Sequence, residues 1–134
     1  MTKYSDHFTQ EELADERTGK IRLQVGFIDQ LEMLREAYGF AMPITDGCRS
    51  SDTNTWLIER GYKASLRSFH LMYNSFYGTD TCAVDMSRPS GDRLWKLVGA
   101  AKDLGWTVGI GSNFIHLDLR ARYTNLPPVI YTYY

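Results

Sequence analysis

Trp106-Thr-Val-Gly-Ile-Gly-Ser-Asn-Phe-Ile-His-Leu-Asp-Leu119 decides how this chain is read. Two strand-like runs, 106–110 and 114–119, flank Gly111-Ser-Asn113, the pattern of a hairpin. Side chains two apart on a strand share a face, so His116 and Asp118 point the same way while Ile115 and Leu117 point the other. An otherwise apolar strand thus carries two polar groups on one side. Gly109-Ile-Gly111 is not a dinucleotide motif, because a strand follows it where that motif needs a helix.

Upstream of the hairpin, Ser90 caps a helix whose apolar positions Leu94, Leu97, Val98, Ala101 and Leu104 keep helical spacing up to Gly105. Thr81 to Met86 reads as a strand, with Asp85 near its end. Ser68 to Asp80 is rich in Tyr, Ser, Asn and Gly without a period and reads as irregular. Ile44 to Arg49 is a short strand opening into a loop, Ser50 to Asn54, and Trp56 to Arg60 is a brief helix ended by Gly61. Nearer the start, Thr9-Gln-Glu-Glu12 has capping-box form, with Phe8 placed to staple onto Leu13. Ile21, Val25, Ile28, Leu31, Leu34 and Tyr38 then draw one helical stripe, stopped by Gly39. A last strand lies in Val129 to Tyr134. Helices first, then mostly strands with one helix between them, predict a single α+β domain over residues 1–134 around a largely antiparallel sheet.

At 134 residues and 43% hydrophobic the chain can bury a real core. Fifteen basic against sixteen acidic residues, a net charge of -1 and no long block of either sign exclude a general nucleic-acid or membrane-surface binder. Met1 to Phe8 is polar, so no secretory h-region is visible, and no apolar run has membrane-spanning length. Cys48 and Cys82 are too few for a disulfide scaffold and lack zinc-ribbon spacing; they read as two buried thiols, with a disulfide the alternative.

Asp85 ends an apolar strand, where an unpaired buried carboxylate is costly. A metal shared by His70, Asp85 and His116 would satisfy all three. Two imidazoles and one carboxylate leave a fourth tetrahedral position for water, the layout of a catalytic zinc site. Zinc lowers the pKa of such a water toward about 7 and polarises a carbonyl. Asp118 is the candidate general base and Arg49 the candidate oxyanion ligand. His7, in the polar start of the chain, is an ordinary exposed histidine.

Taken in chain order, these segments resemble the bacterial and phage zinc peptidases of the D-alanyl-D-alanine carboxypeptidase type, which share a fold core with hedgehog amino-terminal domains. His7-Phe-Thr-Gln-Glu-Glu-Leu13 is similar to that family's "F-s-x-x-E-f/l" opening. Pro43-Ile-Thr-Asp-Gly-Cys-Arg-Ser50, with Asn54 beyond it, looks like "P-I-x-I-t-S-G-Y-R-S". Ser68-Phe-His70 with Ala83-Val-Asp85 resembles "S-x-H-x-x-G-x-A-x-D", and Phe114-Ile-His-Leu-Asp-Leu-Arg120 resembles "F-v-H-v-D-v-R". The likeness spans roughly residues 7–120. It implies a hedgehog/DD-peptidase-like fold, zinc on His70, Asp85 and His116, and hydrolysis of an amide bond in peptidoglycan stem peptides by a monomer. Without a visible leader, the chain would reach the bacterial wall as a phage endolysin does.

Four departures stand out. Fourteen residues, Leu71 to Val84, separate His70 from Asp85. Lengthening the family's loop of about six to this length costs only about 0.7 kcal/mol of closure entropy, small beside the roughly 10 kcal/mol that zinc ligation can supply. Within the longer segment, Tyr73, Phe76 and Tyr77 would form a lip beside the metal, so Tyr73 and Tyr77 join Arg49 and Ser68 as expected substrate-binding residues. Cys48 and Thr81 stand where the family has Tyr and Gly. Asn113 stands where many relatives carry an acidic base, which leaves that role to Asp118, or leaves Asp118 to orient His116 or Arg120. The alternative from another class is a zinc-containing binding module of the same fold, holding a wall fragment or a protein without cutting it.

Overall fold

A computed structural model of the chain describes residues 1–62 and 64–133. Its first helix, α1 (Gln10–Leu13), begins as the T-x-x-E spacing predicts. Thr9 Oγ1 accepts from the Glu12 amide at 3.2 Å, and Glu12 Oε1 accepts from the Thr9 amide at 3.0 Å. The other Glu12 oxygen takes the Ile44 amide at 3.2 Å and so ties α1 to the first strand.

The helical stripe read from Ile21 to Tyr38 needs a correction: α2 runs only from Phe27 to Tyr38. Gly26, at φ 86, takes the left-handed turn that starts it. The residues before it are extended against Thr81, whose carbonyl takes the Gln24 amide at 2.8 Å and whose amide reaches the Arg22 carbonyl at 3.1 Å. Ile21 fits the helical stripe, but with Leu23 it also fits a period of two, and tertiary pairing selected the latter. Val25 consequently points into solvent.

After β1 (Ile44–Asp46) comes α3, Ser51–Glu59, which starts several residues earlier than the sequence reading placed it. Ser50 is the reason: its hydroxyl accepts the Thr53 amide at 3.1 Å, so the polar run expected to be loop is the first turn of a capped helix. β2 (Ala83–Ser87), α4 (Gly91–Asp103), β3 (Thr107–Ile110) and β4 (Phe114–Asp118) follow as predicted in kind. A short α5 (Arg120–Tyr123), not anticipated, precedes β5, Ile130–Thr132. The expected last strand is thus trimmed at both ends, and its Tyr134 lies outside the described residues.

The sheet order is β1-β2-β4-β3-β5, antiparallel except for the parallel pair β3 and β5. This is the α+β architecture with a mostly antiparallel open sheet that the element order predicts. One face carries Val84, Met86, Val108, Ile115 and Leu117, all buried in the core with Phe27, Leu31 and Leu34 of α2 and Leu97 and Ala101 of α4. Trp106 closes this layer, its ring 5.5 Å from that of Phe27. Each such large apolar side chain contributes about 1.5–3 kcal/mol by leaving water. Among the described residues no helix is long and apolar enough to cross a membrane.

Alternation sends the intervening residues to the opposite face. In register across the sheet stand Asp46, Asp85, His116, Gly109 and Tyr131, one from each of the five strands.

Candidate metal centre

His70 enters the row from the 68–80 segment, which is held to its neighbours by backbone bonds. The His70 carbonyl accepts from the Arg49 amide at 2.8 Å and from Thr81 Oγ1 at 2.8 Å, and Cys82 N donates to the Phe69 carbonyl at 3.0 Å. The ring's Nδ1 donates to the Gly47 carbonyl at 2.8 Å, and its Nε2 lies 3.1 Å from Asp85 Oδ1. His116 presents Nδ1 to the same Asp85 oxygen at 2.9 Å and Nε2 to Asp118 Oδ2 at 2.7 Å. Both histidines are buried.

A carbonyl and a carboxylate can only accept, which determines where the ring hydrogens sit. His70 carries hydrogen on Nδ1 and His116 on Nε2, so in the neutral forms His70 Nε2 and His116 Nδ1 keep bare lone pairs. Both lone pairs face one carboxylate oxygen. That arrangement is repulsive unless extra protons or a cation come between the three atoms, and a second partner on each histidine is how proteins orient metal-binding imidazoles. The three ligand atoms lie within 4.8 Å of one another. His70, Asp85 and His116 therefore form a cluster able to hold a metal ion.

The electrostatics agree. Burial works to raise the Asp85 carboxyl, but His70 and His116 outweigh it and hold the group well below the usual carboxylate range. Burial likewise works to lower His116, yet Asp118 and Asp85 push it up to about 9. Without a cation the site keeps protons where a metal would go.

Asp118 is fully buried behind His116. Its Oδ1 accepts from Arg120 N at 2.9 Å and Arg120 Nε at 3.0 Å, while Oδ2 accepts from His116 Nε2 and from Arg120 Nη2 at 2.8 Å. Burial raises this carboxyl and those partners overcome it, holding it at about 2. Arg49 is salt-bridged through Nη2 to Asp46 and donates from Nη1 to Asn54 Oδ1 at 3.2 Å; its buried Nε has no partner. Asn54, quoted above only for its place in a pattern, thereby anchors Arg49, and its amide also donates to the Ser65 carbonyl at 2.9 Å.

A cleft of about 440 Å³ opens on the cluster, lined by Arg49, Ser68, Tyr77, Arg120, Tyr131 and Tyr133 among others. Of the expected substrate-binding residues, Arg49, Ser68 and Tyr77 lie here; Tyr77 stacks on Phe69 with centroids 4.9 Å apart. Tyr73 does not line this cleft. It is 71% exposed, with the Arg22 guanidinium 4.6 Å above its ring, because the chain reverses at Asn74. Buried Asn74 donates through its side-chain amide to the carbonyls of Arg67 and Ser68, both at 3.0 Å, and accepts from the Tyr77 amide at 3.0 Å. Its backbone closes on Thr79 and Gly78. The segment expected to be irregular is thus organised around one residue. Phe76 packs edge-on to Tyr77 from outside.

Tyr131 and Tyr133 were missed by sequence reasoning, although two tyrosines at strand spacing carry the same shared-face signal as His116 and Asp118. Cys48 and Cys82 are both free and buried, and burial pushes the Cys82 thiol up to about 12. Comparison of the chain with family models, curated proteins and solved structures gave no match.

Proposed function

We propose that this chain is a zinc-dependent peptidase that hydrolyses an amide bond in the stem peptides of peptidoglycan, acting at the bacterial cell wall. The observation that carries the metal half is the convergence of two imidazole lone pairs and one carboxylate oxygen, each histidine already oriented by a second acceptor. That donor set suits tetrahedral zinc with one position open. The peptidase half is supported by the four motifs in chain order and by a cleft whose depth holds the cluster and whose walls hold Arg49, Arg67 and Arg120.

Bound there, zinc would supply a Lewis acid and a water of lowered pKa. Asp118 serves that site by fixing the His116 ring; the engagement of both its oxygens supports a positioning role over the role of base. Arg49, fixed by Asp46 and Asn54, presents its guanidinium to a substrate carboxylate.

One observation favours a second reading, a zinc-containing module that binds a wall fragment without cutting it: among the described residues Asp85 is the only carboxylate lining the cleft. Metal analysis of the purified protein, combined with mass spectrometry of peptidoglycan incubated with it, separates the readings. One zinc per chain with new stem-peptide fragments is expected. Zinc with muropeptide binding and no turnover selects the binding module, and absence of both zinc and cleavage ends the proposal.

A further inference from the structure

Gly109 stands in register between His116 on one side and Tyr131 on the other. A Cβ on Gly109 would lie 2.7 Å from Tyr133 Cε2 and 2.8 Å from Tyr131 Cζ, so only glycine lets both rings lie down over the strand. Laid there, their centroids come to 6.3 and 6.5 Å from the His116 ring. Gly111 does the same for Phe114, which props Tyr133 from behind at 4.9 Å. The two tyrosine hydroxyls are 2.8 Å apart.

Two hydroxyls joined by one hydrogen bond spend one proton of two. The second proton remains available to the cleft that both tyrosines line. Attack on an amide carbonyl moves negative charge onto its oxygen, and a fixed donor beside that oxygen is what stabilises it. Arg49 binds Asp46 and Asn54 through one hydrogen on each terminal nitrogen, and the hydrogens left over are those given above to a substrate carboxylate, so an attacked oxygen needs another donor.

We infer that Tyr131 and Tyr133 form a hydroxyl pair that donates a hydrogen bond to an anionic oxygen of a ligand at the His70–Asp85–His116 cluster, with Gly109 as the positioning residue that seats it. This rests on the metal reading above. The test is calorimetric titration of zinc-loaded protein with a phosphinic dipeptide, whose tetrahedral anion mimics the attacked carbonyl, and with a small thiol, which binds zinc through sulfur and needs no oxygen donor. Tyr131→Phe and Tyr133→Phe keep the rings and remove one hydroxyl each. Phosphinate affinity should fall roughly tenfold in each single variant and further in the double, while zinc content, thiol affinity and thermal midpoint stay put. Gly109→Ala should weaken the phosphinate comparably with both hydroxyls present; if that variant fails to fold, the phenylalanine variants decide. Equal phosphinate affinity in wild type and double variant, at full zinc occupancy, overturns the hydroxyl pair and leaves the metal site standing. A wild-type protein that takes up no zinc overturns both.

Discussion

The two halves of the cross-strand row are built on opposite principles. On β2 and β4, Asp85 and His116 face each other as polar groups in apolar strands, and His116 is held from behind by Asp118. On β3, β5 and the residues just after them, Gly109 and Gly111 contribute the absence of a side chain, and Tyr131 and Tyr133, with Phe114 from the start of β4, fill the space. One half works by charge and the other by shape. Perturbing them should therefore fail differently.

The largest separation is expected from His116→Ala, which should abolish metal retention after dialysis, as should His70→Ala, whereas no substitution on β3 or β5 should do so; metal analysis reads this directly. Asp118→Asn removes the charge behind His116 while keeping the ligand, and should lower metal affinity about 10–100-fold in competition with a chelator. In the other half, Gly111→Ala would put a Cβ 2.3 Å from Phe114 Cε1. It should cost about 1–3 kcal/mol in urea denaturation by overpacking, with metal content unchanged; a drop in metal would erase the distinction between the halves.

A smaller effect should appear with pH. His116 sits at about 9 in the folded chain without a cation, against about 6.5 unfolded. Its proton therefore stabilises the fold fully below about 6.5, and that contribution is lost as pH rises through about 9. Metal-free protein should accordingly lose urea stability between these values, and metal-loaded protein should lose less, because the ion replaces the proton. Smallest of all, Tyr73→Ala on the exposed side of the 68–80 segment should change stability by less than about 0.5 kcal/mol and leave metal and ligand binding alone.

The same contrast explains what was legible in the sequence. His116 and Asp118 announce themselves because a polar residue inside an apolar strand has a cost that demands a partner. The Thr9–Glu12 capping box and the turn between β3 and β4 are likewise local, their partners lying a few residues away. What escaped depends on distant chain. The start of α2 was decided by pairing of residues 22–24 with Thr81, and the departure of Tyr73 from the cleft by a turn organised at Asn74. Gly109 was considered only for what glycines do at phosphates, and Gly111 for that and for the hairpin turn. Their role became visible once β5 was seen to lie parallel beside β3, a pairing that no local pattern specifies. Ser50 was the avoidable miss, since a serine before a run of helix-compatible residues is a start signal as good as Thr9.

Asn74 carries a consequence for how the cleft meets its ligand. Its side chain spans three backbone groups of a segment that has no regular structure, and such satisfied polar anchoring raises the free energy needed to open a loop. The wall bearing Ser68 and Tyr77 is then a fixed aperture rather than a flap. A ligand enters a mouth whose outline is already set, so discrimination falls on the fit of rigid surfaces at first encounter, and little of the binding energy is diverted into ordering the rim.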